Sequence, residues 1–172
     1  MNDSDTALLP TAHQLMEAIA GKHGDDPLLR TVATLLPLNK QRFMTLGTLL
    51  GRELPARAEQ IYQAGAVLTS AVVGLSRAAH TIDCLVAQRL MNLPSPPGTP
   101  YTTAHVGELA AMLGFFRARE DAGQILGHPP DPSEQTSLCE AYTQLRCQLL
   151  AGKLRPRHPG PAPTPTATRQ WS

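Results

Sequence analysis

PARAEQIYQAGAVLTSAVVGLSRAAHTIDCLVAQRLMNL, residues 55–93, contains no proline after its first residue. Ile61, Gly65, Leu68, Val72, Leu75, Ala79, Ile82 and Val86 recur in alternating steps of four and three, and Leu93 resumes the pattern after Arg89 interrupts it. That period belongs to a helix with one apolar stripe, and it matches the seam of a coiled coil or the centre of a bundle. At 1.5 Å per residue such a helix spans roughly 57 Å. The stretch predicts an all-α fold: a bundle of about six helices built around one long central helix.

The stripe is rich in small residues. Ala64, Gly65, Ala71, Ala78 and Ala79 carry little bulk, so a neighbouring helix can approach closely. A glycine inside a helix costs up to about 1 kcal/mol relative to alanine, so Gly65 and Gly74 point to tight packing or to a bend at Gly74. The expected helix-contact residues are Gly65, Leu68, Ala71, Val72, Gly74, Leu75, Ala78, Ala79 and Ile82. A helix this long overhangs a body of about 150 residues, and the overhanging ends are where a partner is expected.

Toward the N-terminus, residues 1–10 read as a flexible lead-in and Thr11–His23 as a first helix with Leu15 and Ile19 inward. Asp26-Pro27 is a start signal, a capping side chain followed by proline at the first helical position. Leu28, Leu29, Val32, Leu35 and Leu36 continue that helix to a stop before Pro37. Asn39 is then expected to cap a third helix bearing Phe43, Leu46, Leu49 and Leu50.

Toward the C-terminus, residues 94–100 (PSPPGTP) form a stiff extended connector. A fifth helix is expected from Thr102 or Thr103 to Ile125 or Leu126. Asp131-Pro132-Ser133-Glu134 is the clearest local signature in the chain: a cap, a proline at N1 and a glutamate at N3 placed to reach back as in a capping box. The sixth helix runs to about Ala151, closing a helical domain of residues 11–152. Residues 153–172 are basic and proline-rich, with little to bury, and read as a disordered tail. Within it Arg155, Arg157, Arg169 and the single tryptophan, Trp171, are the candidate partner-binding residues.

The net charge of +1 hides an asymmetry. Residues 153–172 hold four cations and no acid, which leaves the other 152 residues at −3. A weakly acidic body is not the overall footprint of a nucleic-acid-binding domain. Three cysteines without a CxxC read as reduced, mostly buried thiols of a cytoplasmic protein. Gln60–Ser76 is 17 residues without a charge, short of the roughly 20 apolar residues that a membrane span requires.

Chemistry-bearing patterns are sparse. His80 and Cys84 (i,i+4) and His105 and Glu108 (i,i+3) are the one set able to meet as metal ligands between two helices. With no Glu-x-x-His repeat, the ordinary reading is a hydrogen-bonded histidine beside a buried cysteine. No nucleophile elbow and no phosphate-cradling glycine loop occurs, so no catalytic residue, cofactor or metal is expected. The function expected is that of a non-enzymatic adaptor or structural subunit in a homo-oligomer or hetero-complex. The alternative is nucleic-acid binding by a helix-turn-helix-like region, residues 27–52, through Lys40, Gln41, Arg42, Arg52 and the nearby Arg57, with the basic tail adding grip.

Overall fold

A computed structural model describes residues 8–50, 58–126 and 131–157. Among them six helices occur: α1 (Ala12–Ile19), α2 (Pro27–Ala33), α3 (Leu35–Leu50), α4 (Ala58–Leu90), α5 (Val106–Leu126) and α6 (Pro132–Leu150). The fold is an all-α bundle, and its centre is the mutual packing of α3, α4 and α5. The short helices α1 and α2 pack on one another; α2 also lies on α4, and α1 reaches α5 and α6. Leu15, Ile19, Leu28, Val32, Leu35, Ile82, Val86, Leu113 and Leu149 are the large aliphatic side chains of the core.

The long helix is continuous for 33 residues, about 50 Å. It passes through Gly74 without a break. Gly74 is a point of close approach. A Cβ built on it would lie 2.8 Å from Leu38 Cδ2 of α3. A tighter contact joins α4 to α5: a Cβ on Gly107 would lie 2.0 Å from the Ala79 carbonyl oxygen. One heptad on, a Cβ on Gly114 would come within 3.0 Å of Leu35 Cβ and 3.2 Å of Asn39 Nδ2. The glycines of α5, scattered to the eye in the sequence, thus let two helices touch it at backbone distance.

Local signals hold at several helix starts. Thr11 and Gln14 form a reciprocal capping box at α1. Asp26 Oδ1 accepts the Leu28 and Leu29 N–H groups at 2.8 and 3.3 Å. Asp26 also receives Arg89 Nη2 at 2.6 Å, from the last turn of α4. Burial pushes the Asp26 carboxyl up, but the Arg89 bond and the two backbone N–H groups more than offset it and hold the group below its ordinary value.

Elsewhere the expectations need correction. The break between α2 and α3 falls at Thr34, not at Pro37–Asn39. Pro37 sits in the first turn of α3, where its missing N–H has no helical partner to lose. Asn39 is no cap: it is buried inside α3, where Nδ2 donates to Leu35 O at 2.9 Å and to Ala111 O of α5 at 3.4 Å. Helix α5 starts at Val106, after a turn in which the Ala104 N–H donates to Thr102 Oγ1 at 3.1 Å and the Thr102 N–H to Arg155 O at 2.9 Å. Asp131 caps α6 through the Ser133 N–H at 2.9 Å, but Glu134 pairs with Arg119 at 3.1 Å instead of closing a box.

Both ends of the domain extend further than expected. Leu9 and Pro10, assigned to a flexible lead-in, are buried. Tyr142 Oη donates to Pro10 O at 2.6 Å and Arg146 Nε to Leu9 O at 3.0 Å, so α6 holds the segment by its carbonyls. At the other end Gly152 terminates α6 with φ +65°, and the Lys153 N–H reaches back to Gln148 O at 2.9 Å. Any side chain there would be strained twice, since a Cβ would stand 2.7 Å from Pro94 O. The chain then pairs with the proline connector: Tyr101 and Arg155 form an isolated parallel bridge, and the Arg155 N–H donates to Pro100 O at 2.9 Å. Residues 153–157 are therefore part of the folded body.

Two expectations follow for stability, both measured by urea unfolding. Gly107→Ala should cost about 3 kcal/mol, because the Cβ meets a backbone carbonyl that cannot rotate away, and Gly114→Ala about 1 kcal/mol. Gly65→Ala, with nothing within 4 Å of its Cβ, should stabilise by up to about 1 kcal/mol. Asp26→Ala should cost about 1–2 kcal/mol at pH 7. Because the folded-state pKa of Asp26 lies below 3.8, its contribution is present above pH 4 and fades as pH falls through that lowered value.

Candidate functional site

The two halves of α4 differ in what covers them. From Ala71 onward the helix is anchored: Ala71, Ala78, Ile82, Val86 and Leu90 are buried. Over residues 59–70 no residue is buried. Ile61 is 52% exposed, Tyr62 80%, Val67 38% and, just past Ala71, Val72 47%. The stripe of four-and-three steps is thus covered only in part. Leu75 packs against the core and Ala79 meets Gly107, while Leu68 is half-buried. Ile61 and Val72 look outward, and Gly65, expected at a helix contact, faces open space within the chain.

Helix α3 runs beside this end of α4, since Leu38 meets Gly74 and both helices extend from there toward residues 50 and 58. Its outer part is also apolar at the surface: Met44 is 76% exposed, and Leu46 and Leu49 are half-buried. The sequence carries no charge over residues 43–50 or 60–76. The outer arms of the α3–α4 pair therefore form a neutral, apolar-rich projection from the body. At its base a groove of about 390 Å³ lies between α3, α4 and α5, lined by Asn39, Arg42, Leu75, Ala79, Met112 and Phe115.

Two of the cations proposed for nucleic acid, Lys40 and Arg42, have partners within the fold. Lys40 Nζ is 2.6 Å from Asp121 Oδ2, and Arg117 pairs with the same carboxylate at 3.3 Å. Arg42 lies 5.8 Å from the centre of the Phe115 ring, and Phe115 stacks on Phe43 at 5.3 Å. Gln41 is exposed. Arg52 and Arg57 lie outside the described residues, as do Arg169 and Trp171. Arg155 is held in the bridge to the connector, and Arg157 is exposed at the last described position.

Of the four metal-ligand candidates, His80 and His105 both act on the Asp83 carboxylate, whereas Cys84 and Glu108 line two different grooves. Cys84 opens onto a groove of about 580 Å³ at the C-terminal end of α4, with Met91, Leu93, Tyr101 and Arg155. Glu108 lines the groove beside Met112. His105 Nδ1 stands 3.3 Å from Asp83 Oδ2, and Asp83 Oδ1 accepts the Gly107 N–H at 2.9 Å. Among the described residues no group of three or more His, Cys, Asp or Glu is placed to hold a metal ion. The thiols are not mostly buried either: Cys84 and Cys147 are exposed and Cys139 is half-buried, all three free. Among the described residues no helix is long and apolar enough to cross a membrane.

Asp83 is the residue in this region that sequence reasoning passed over. Its carboxylate stands at the N-terminal end of α5, where unpaired N–H groups favour an anion. Burial nevertheless pushes its pKa above the ordinary 3.8, against the Gly107 N–H, His105 and His80, which pull it down. Folding therefore makes ionisation of Asp83 harder than it is in the unfolded chain. Asp83 favours folding below pH 4, and that contribution is lost as pH rises from 3.8 through the raised folded value. Asp83→Asn, which keeps an acceptor for Gly107, should become more stable relative to the wild type between pH 3.5 and pH 6. Urea midpoints at the two pH values check the sign.

No known protein family, curated protein or solved structure matches the chain.

Proposed function

We propose that this chain is a non-enzymatic helical assembly subunit that binds a protein partner through the outer arms of α3 and α4. The observation that carries the reading is the exposure of Ile61, Tyr62, Val67 and Val72 along an α4 end in which no residue from 59 to 70 is buried. Over these three turns only Ala64, Gly65 and Leu68 are even half-buried, so little packing supports the helix there. A glycine at position 65 and β-branched residues at 61, 67, 69 and 72 lower its intrinsic stability further. Covering it with a partner removes apolar surface from water at about 25 cal/mol per Å². Ile61 and Val72, exposed on one stripe that carries no charge, are apolar side chains of the kind such an interface covers.

A cytoplasmic setting suits three free thiols, two of them exposed. Nucleic-acid binding ranks behind assembly, since Lys40 and Arg42 are already engaged with Asp121 and Phe115.

The test is the native size of the chain in extract of its own cells, read by size exclusion and blotting. The wild type should elute well above the 18.5 kDa of the single chain. Val72→Glu, which places a charge on an exposed site and spares the core, should return it to that mass. Elution of the wild type as a single chain would refute the assembly reading.

A further inference from the structure

We propose that the partner of the outer α3–α4 arms is a second copy of this chain, paired antiparallel about a two-fold axis near Leu68. This rests on the assembly reading above and names its partner.

The starting point is a stripe that the fold covers only in part, with Ile61 and Val72 exposed and Leu68 and Leu75 half-buried. Ile61, Gly65, Leu68, Val72 and Leu75 follow steps of four, three, four and three, the spacing of a seam that fits against another such seam. Leu68 is the midpoint of the run. Turning a second copy end for end about Leu68 sets Ile61 against Leu75 of the copy, Leu68 against Leu68, and Val72 near Ala64. Large side chains then meet at both ends and at the centre. The sites between carry Gly65 and Ala64, and Gly65 has open space within 4 Å, so the two backbones can come close. A two-fold contact needs a patch that complements itself, and Leu68 against Leu68, flanked by Ile61 against the side of Leu75 that its own core leaves open, supplies one.

Charge points the same way. The 17 residues from Gln60 to Ser76 hold no ionisable group except Tyr62, and residues 43–50 hold none. Two copies therefore meet without like-charge repulsion. Selection of a different protein commonly rests on complementary charge pairs, and this face supplies none. The size is also adequate. Arms about 25 Å long and two helices, about 20 Å, across give roughly 500 Å² per copy and roughly 1,000 Å² in total. Two α3–α4 pairs joined in this way make a four-helix bundle, which covers the faces that a lone helix pair leaves wet.

The experiment uses the purified full-length chain. Light scattering between 1 and 100 µM should give twice the 18.5 kDa of the single chain. The exposed-site variants Ile61→Glu and Val72→Glu should weaken pairing by about 100-fold or more with an unchanged helical circular-dichroism signal. Register is tested separately, with the three native cysteines replaced by serine. Leu68→Cys should oxidise to a covalent dimer, whereas Thr81→Cys, exposed on the anchored half of α4, should not.

A wild type that stays monomeric at 100 µM overturns the proposal. So does a dimer that survives both glutamate variants, or one in which Thr81→Cys crosslinks and Leu68→Cys does not. If the purified chain is monomeric while the large species in cell extract is still lost in Val72→Glu, self-pairing falls and the assembly reading stands with a different protein.

Discussion

The packing of this bundle depends on the contact of Gly107 with the Ala79 carbonyl. Two helices whose backbones touch at this distance have no freedom to slide, because no side chain lies between them to repack. That contact sets where α5 leaves α4. Its consequences appear along both helices. Asp83, one turn beyond Ala79, is brought to the Gly107 N–H, and Gly114, one heptad further along α5, is brought to Leu35 and Asn39 of α3. Asn39 then bonds across to Ala111 and ties α3 to the same helix. The core leucines fill the space that these backbone contacts define.

The two buried-edge aspartates show how one physical effect yields opposite results. Desolvation is the largest influence on both carboxyls. Asp26 meets a permanent cation in Arg89 and two backbone donors, and ends with its charge favoured. Asp83 has one backbone donor, with His105 and His80 as its only cations, each charged only when protonated. Its charge is therefore disfavoured at the centre of the helix crossing. Arg89 serves two helices at once, as a cation in the last turn of α4 and as the partner of the residue that caps α2.

Much of the fold was legible because its signals are local. Asp26-Pro27 and Asp131-Pro132 mark helix starts whatever the rest of the chain does, and the proline-free run of residues 55–93 specifies a helix from its period alone. What the period does not specify is which side of that helix another helix covers. The period predicts a core in the middle of the stripe and open ends; burial in fact runs from Ala71 and Ala78 to Ile82, Val86 and Leu90, and the stripe's first turns are left open. The decisive small residues were also on a different helix. Gly107 and Gly114 looked unremarkable because nothing in the sequence states that Ala79 and Leu35 lie opposite them. The same holds for Arg155, read as tail because its neighbours are prolines, when those features suit an extended strand that pairs with another extended strand. Asn39 has the composition of a cap, and only the tertiary bond to Ala111 explains it inside a helix. The outer face of α4 was anticipated as an overhang, but its boundary at Ala71 required the structure.

The hold of α6 on Leu9 and Pro10 has a consequence for the order of events at the ribosome. Tyr142 and Arg146 lie 132 and 137 residues beyond the carbonyls they bind. At roughly 5–20 residues per second, Leu9 and Pro10 wait on the order of ten seconds for the side chains that will secure them. Throughout that interval Leu9 has no α6 to cover it, and α1 has its capping box but lacks one of the walls against which it packs. The nascent chain can build α2, α3, α4 and α5 on one another in sequence as they emerge. Closure of the domain is therefore a late event, set by the arrival of α6, and Leu9 and Pro10, made long before it, are among the last residues to become native.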